Sequence, residues 1–226
     1  MIRGIDVSSL QGRIDWKAER SRFDFVIIRD GYGNEAPDSR AKLNIAEARL
    51  AGFVVGTYNV TFPLHDSVAH INRSPVDQAR WHARKWQEGD LPPACDLEWP
   101  GPEAWAKWQV SGAFIVDWHL RYLEELERVC GVRPMVYTYP YYWQTLTAAA
   151  GDAAVLPFNQ YPLWLAKYED HTEMAPVTPY PWTYAEIQQT EGGDKTRLLN
   201  GCPVDTNVYL GSEDGWKRLR GLPYEK

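Results

Sequence analysis

Asp96 and Glu98, one residue apart in Ala94-Cys95-Asp96-Leu97-Glu98-Trp99, have the types and spacing for acid chemistry. In an extended segment alternate side chains share a face at ~3.3 Å per residue, so both carboxyls point the same way from backbones about 6.6 Å apart. Two carboxyls that reach one substrate together suit work at a glycosidic bond, about 5–5.5 Å apart for retention and farther for inversion. Like charges so close push one pKa up, which keeps one acid protonated near neutral pH while its neighbour ionises. Glu98, longer and beside Trp99, is the expected proton donor. The competing reading of an Asp-x-Glu is a structural ion-pair network or a solvated strand edge. Two further acids sit among apolar strand formers, where desolvation is costly without a purpose or a partner. These are Asp6 in Gly4-Ile5-Asp6-Val7-Ser8 and Asp205 in Pro203-Val204-Asp205-Thr206-Asn207.

Other chemistries lack their residues. The five histidines, His65, His70, His82, His119 and His171, contain no His-x3-His pair, so neither a metal nor any other cofactor is expected. His82 and His119 read as helix-surface or satisfied core residues. Ser8-Ser9 has no Gly-x-Ser-x-Gly elbow, and Cys95 alternates to the face opposite Asp96. Gly31-Tyr32-Gly33 lacks the third glycine and the lysine of a phosphate loop.

The acids need a frame to bring them together. Ile2 to Val7, Phe25 to Arg29, Val54 to Tyr58, Ala94 to Leu97, Met135 to Thr138, Leu163 to Lys167, Ile187 to Gln189 and Asp205 to Tyr209 read as eight strands. Helices are expected from Ser39 to Ala51 before Gly52, from a Ser74 cap and first-turn Pro75 to about Gln87, and along the Phe114, Trp118, Tyr122 stripe to Gly131. Strand-helix-strand repetition predicts parallel pairing with right-handed crossovers. The fold class expected is α/β, a single closed barrel with an irregular last third, because Tyr161-Pro162 and Pro176 to Trp182 do not read as helices. In such a barrel functional groups gather at the carboxyl ends of strands. No linker or internal repeat divides residues 1–226, so one catalytic domain with no separate wall-binding module is expected.

Composition narrows the partners. With 24 Lys and Arg against 30 Asp and Glu the net charge is −6, and no basic cluster supports nucleic-acid binding. No apolar run approaches the ~18 residues of a membrane span, so no membrane insertion is expected. Three cysteines, Cys95, Cys130 and Cys202, form no CxxC pair and read as reduced thiols. The 11 Trp and 13 Tyr against 6 Phe suit a wet groove for a flat, hydroxylated ligand. The chain enters patterned sequence at Met1 with no basic-then-apolar leader, which predicts synthesis in the cytoplasm.

The blocks Gly4-Ile5-Asp6-Val7-Ser8-Ser9-Leu10-Gln11-Gly12 with Ile14-Asp15-Trp16, Phe25 to Arg29, Gly56-Thr57-Tyr58, Leu91 to Glu98, Val136-Tyr137-Thr138, Leu163 to Tyr168 and Val204 to Asn207 follow one another in order across nearly the whole chain. In that order they closely resemble glycoside hydrolase family 25, the Chalaropsis-type lysozymes or N-acetylmuramidases. The resemblance implies a modified barrel of eight strands and about five helices, acting as a monomer on bacterial peptidoglycan at the β-1,4 bond between N-acetylmuramic acid and N-acetylglucosamine, with net retention. It implies Glu98 as general acid/base and Asp6, Asp96 and Asp205 around the sugar to be cleaved, with Asp96 attacking directly or orienting the 2-acetamido group. Tyr58, Tyr137 and Trp164 are implied groove-lining residues. The chain departs from the family after its second strand, where Asp30 adds an acid, at Asn59, and at Ile187-Gln188-Gln189 in place of a Trp-Gln-Tyr. Asp30 and Gln188 complete the expected substrate-side set. A chitinase-like hydrolase is the alternative enzyme, disfavoured by Ala94 where such enzymes carry another Asp. A non-catalytic glycan-binding module is the alternative outside enzymes, disfavoured because all four acids are kept. Delivery as a phage endolysin, released by a pore the chain does not encode, fits the absent leader.

Overall fold

The computed structural model describes residues 1–34, 36–63, 74–168, 176–192, 198–199 and 201–223. Eight strands form the ring: β1 (Ile2–Val7), β2 (Phe25–Tyr32), β3 (Val54–Val60), β4 (Ala94–Asp96), β5 (Met135–Thr138), β6 (Leu163–Ala166), β7 (Ile187–Glu191) and β8 (Asp205–Tyr209). Each β1-to-β7 neighbour pair in chain order is parallel, and β1 meets both β2 and β8, so the sheet closes on itself. Two-residue strands add a small edge at Ala36–Pro37 and a hairpin of Leu198–Leu199 with Cys202–Pro203.

The expectation of parallel pairing throughout is corrected at the last strand. β8 runs antiparallel to both β7 and β1. No crossover helix lies among the described residues between Glu191 and Asp205, and a chain that does not cross back over the sheet must return from the rim where it left. Asp205 therefore opens its strand instead of closing it, and still stands on the rim shared by the other strands' carboxyl ends.

Eight helices are present among the described residues, three more than the resemblance implies. They are α1 (Trp16–Glu19), α2 (Ala41–Leu50), α3 (Pro75–Ala83), α4 (Pro102–Trp108), α5 (Gly112–Cys130), α6 (Pro140–Ala150), α7 (Asp152–Val155) and α8 (Glu213–Leu219). Local chemistry sets several boundaries. Ser74 caps α3 by accepting from the Asp77 amide, with Pro75 in the first turn, and Gly131 ends α5 in the left-handed region at φ 71°.

Strand alternation divides the core in two. Inward residues, among them Phe25, Ile27, Ala94, Met135, Tyr137, Trp164, Ile187 and Tyr209, fill the barrel. Outward Cys95, Leu97, Val136, Leu163 and Leu165 pack under α3, α5 and α6, while Val26, Ile28 and Val55 pack with Ile45 and Ala48 of α2. Gly4 makes room for this filling, since a Cβ there would lie 2.3 Å from Cε2 of Phe25. His82 joins Thr57 Oγ1 at 2.9 Å to the Tyr122 hydroxyl at 2.8 Å, tying β3 to α3 and α5. His119 links Thr61 Oγ1 at 2.8 Å to the Ile115 carbonyl at 2.7 Å. Both rings are buried, as satisfied core residues, and burial holds them down to about 3 and about 4 respectively. His65, His70 and His171 lie outside the described residues.

Candidate active site

Three strands carry four acids to one rim. Asp6 stands near the end of β1, directly across the pairing from Asp205 at the start of β8. Asp96 ends β4, and the Leu97 amide still donates to the Tyr137 carbonyl at 2.9 Å, which carries the extended backbone one residue further. Cys95 and Leu97 pack in the outer helix layer, so the alternation turns Asp96 and Glu98 together toward the barrel axis.

The acids perturb one another. Burial, then the charge of Asp205, pushes the Asp6 carboxyl up to about 8. Asp96 is buried and held well above the ordinary carboxylate range by that burial, then by Glu98 and Asp6, while Arg29 acts in the opposite direction. Its Oδ1 has no hydrogen-bond partner among the described residues. Glu98 is partly exposed, and its carboxyl is raised by burial and then by the charge of Asp205. The cluster therefore holds protons at pH values where free carboxylates would have lost them, as general acid catalysis near neutral pH requires.

Tyrosines and a tryptophan floor the rim. The Tyr58 ring meets Trp164 edge-on at 6.0 Å, and Tyr137 lies 4.5 Å from the same indole. Burial and then the charges of Asp6 and Asp96 raise the Tyr58 hydroxyl, so it stays a neutral donor. Trp164 is only 1% exposed and Tyr137 only 8%, which makes them a supporting floor beneath the acids, with Tyr58 the more accessible ring.

Two expected substrate-side residues stand elsewhere. Asp30 is fully buried and paired with Lys85 just beyond α3, because β2 alternates and turns Asp30 outward when Ile27 and Arg29 turn in. Gln188 likewise faces away and donates from Nε2 to the Lys167 carbonyl at 2.6 Å. Its neighbour Gln189 takes the inward place, donating to Asp6 Oδ2 at 2.8 Å.

The residues missed from sequence are the polar frame. Asn207 donates to the same Asp6 oxygen at 2.8 Å, and Trp164 Nε1 donates to Asn207 Oδ1 at 2.7 Å. Arg29 is held by Asp38 through Nε at 3.0 Å and Nη2 at 2.8 Å and by the Tyr32 hydroxyl at 2.8 Å. The Asp38 carboxyl sits below its usual range: burial pushes it up, but backbone N–H donors from Ser9 and Arg40 and the Arg29 side chain outweigh that effect. The hydroxyls of Tyr139 and exposed Tyr168 are raised in part by the charge of Glu98, and that of Tyr168 more by Asp205. Strand parity held the signal: Gln189 is two residues from inward Ile187, Asn207 two from Asp205 and Arg29 two from Ile27.

Comparisons with known proteins agree in direction. The family model described as Glycosyl hydrolases family 25 matches residues 5–193. YegX of Escherichia coli O157:H7 is 29% identical over 225 residues, covering 94% of this chain and 71% of that protein. The N,O-diacetylmuramidase of Chalaropsis sp is 29% identical over 212 residues, covering 88% of this chain and 94% of that one. The structure of a bacterial lysozyme from Streptomyces coelicolor shares the fold with a TM-score of 0.80 at 24% identity, covering 98% of this chain and 96% of that chain.

Proposed function

The chain belongs to glycosyl hydrolases family 25, and from that premise we propose that it cleaves the β-1,4 bond between N-acetylmuramic acid and N-acetylglucosamine in bacterial peptidoglycan, with net retention. It is a glycoside hydrolase of the lysozyme kind, acting on the cell wall. The observation that carries the reading is the gathering of Glu98, Asp96, Asp6 and Asp205 on one rim, with Glu98 partly accessible and its carboxyl raised. In this reading Glu98 gives its proton to the glycosidic oxygen as the bond breaks, and later takes one from water as general base. Asp96 and the Asp6/Asp205 pair face the positive charge that grows on the sugar ring. Asp96 Oδ1, buried without a donor, suits the N–H of a 2-acetamido group, which would draw Asp96 to its ionised form and turn the acetamido oxygen toward the anomeric carbon. Tyr58 supports the sugar at the rim. In this reading residues 1–226 act as one catalytic domain, whose first and last strands close the same ring, and as a monomer.

Glu98→Gln tests the assignment: lysis of purified walls should fall by ~100 to 10,000-fold with the melting temperature nearly unchanged. Digest products should carry new reducing ends on muramic acid, and transfer to methanol should give the β-glycoside. Undiminished lysis by Glu98→Gln, reducing ends on glucosamine, or an α-product would each remove one part of the reading.

A further inference from the structure

We propose that Gln189 and Asn207 are positioning residues whose side-chain amides clamp one oxygen of Asp6 and thereby aim the proton that Asp6 shares with Asp205 across the β1–β8 pair. The consequence for turnover rests on the glycosidase reading above, whereas the clamp rests on geometry alone.

Asp6 Oδ2 accepts from Gln189 Nε2 and Asn207 Nδ2, each at 2.8 Å. The Asn207 amide cannot turn over. An indole N–H only donates, so Trp164 Nε1 at 2.7 Å requires the oxygen of Asn207 to face it and the NH2 to face Asp6. The Tyr137 hydroxyl donates to Gln189 Oε1 at 3.0 Å, with the Tyr168 hydroxyl at 3.4 Å, which engages the Gln189 oxygen while its NH2 faces Asp6. An oxygen that accepts two N–H donors is a poor place for a proton, so the proton of Asp6 belongs on Oδ1. Asp205 is the cross-strand partner of Asp6, and the two carboxyls are hydrogen-bonded.

The groups facing Asp6 from the packed strands are Asp205 on β8, Asp96 on β4, Tyr58 on β3, Tyr137 on β5 and Tyr168 after β6. Arg29 on β2 acts on Asp96. Burial and Asp205 keep Asp6 protonated, while the two amides pull toward ionisation. A proton kept on Asp6 leaves Asp205 charged, and that charge is what raises Glu98 after burial. The clamp thus reaches the acid through Asp205, without touching the sugar.

The test is a 13C titration of the Asp6 side-chain carboxyl in the intact chain without substrate, its resonance assigned by loss in Asp6→Asn. The wild-type midpoint should lie near about 8. Gln189→Met and Asn207→Leu should each raise it by roughly one unit, since each removes a donor to the charged form. In wall lysis the alkaline limb of both variants should move to higher pH, because a proton held more tightly on Asp6 leaves Asp205 charged and Glu98 raised; a merely structural loss would lower activity at every pH alike. Should either variant fail to fold, Tyr137→Phe carries the test with a smaller upward shift. An Asp6 midpoint in the ordinary carboxylate range, or folded variants with an unmoved midpoint, overturns the clamp. A wild-type chain that lyses no wall while Asp6 shifts as stated overturns the glycosidase reading and leaves the clamp standing.

Discussion

Asp96 is buried, and one of its oxygens has no donor among the described residues, an arrangement that costs stability unless the group stays neutral. Burial and its acidic neighbours raise its carboxyl well above the range it has in an unfolded chain. Between those two pH values the unfolded chain has lost a proton that the folded chain keeps, so stability is fully present at low pH and falls as pH rises across the window. Asp96→Asn removes the titration and keeps the shape. Its melting temperature should exceed that of the wild type at pH 8 by roughly 2–4 °C or more, with the gain vanishing toward about pH 4. Lysis should fall at least ~100-fold if Asp96 has the role proposed for it. Calorimetry across pH decides the matter: an Asn variant that is no more stable than wild type at pH 8 would show that the site stores no cost at this residue. The four acids were legible in the sequence because charges are out of place among strand formers. Gln189 and Asn207 were not, because a neutral amide in a strand carries no such contrast and only its parity against Ile187 and Asp205 reveals it.

Helices and strands were legible where their signals are local. All eight barrel strands lie where β-branched and aromatic runs predict them, and Ser74, Pro75 and Gly131 mark helix ends by capping chemistry. The direction of β8 is not local. Nothing in Asp205–Tyr209 states which way it runs, and the connection after Glu191 decides it. The contact between α5 and α6 was equally hidden. Gly112 opens α5 against the last turn of α6, where an added Cβ would lie 2.7 Å from the Ala149 Cβ and 2.8 Å from the Ala149 backbone carbonyl carbon. Alanine is the better helix former by up to ~1 kcal/mol, so propensity alone predicts that Gly112→Ala stabilises. Overpacking at this distance costs roughly 1–3 kcal/mol and should win. Urea unfolding should show Gly112→Ala less stable than wild type, and adding Ala149→Gly should recover part of the loss even though Ala149→Gly alone destabilises. A Gly112→Ala chain at or above wild-type stability would mean that the two helices slide apart at little cost.

At the scale of the whole molecule the site is assembled from both ends of the chain, Asp6 from the first strand and Asp205 from the last, so it exists only when the ring is closed. The same closure concentrates acids at one rim of a chain whose net charge is already −6. A long-range field of that sign repels anionic wall polymers, and such repulsion between exposed charges is screened over about 8–10 Å at ~0.1–0.15 M salt. Affinity for a glycan must then come from hydrogen bonds and ring contacts at short range, at residues such as Tyr58, which salt barely alters. Raising the ionic strength from low to physiological should therefore change the lysis rate by less than about threefold, and upward if at all, because the term being screened is unfavourable. A basic chain drawn to the wall by charge would behave in the opposite way and lose rate steeply. Initial rates of turbidity loss on one wall preparation, measured across salt at constant pH, separate the two, and a tenfold loss would show that some part of this acidic surface is locally attractive to the wall.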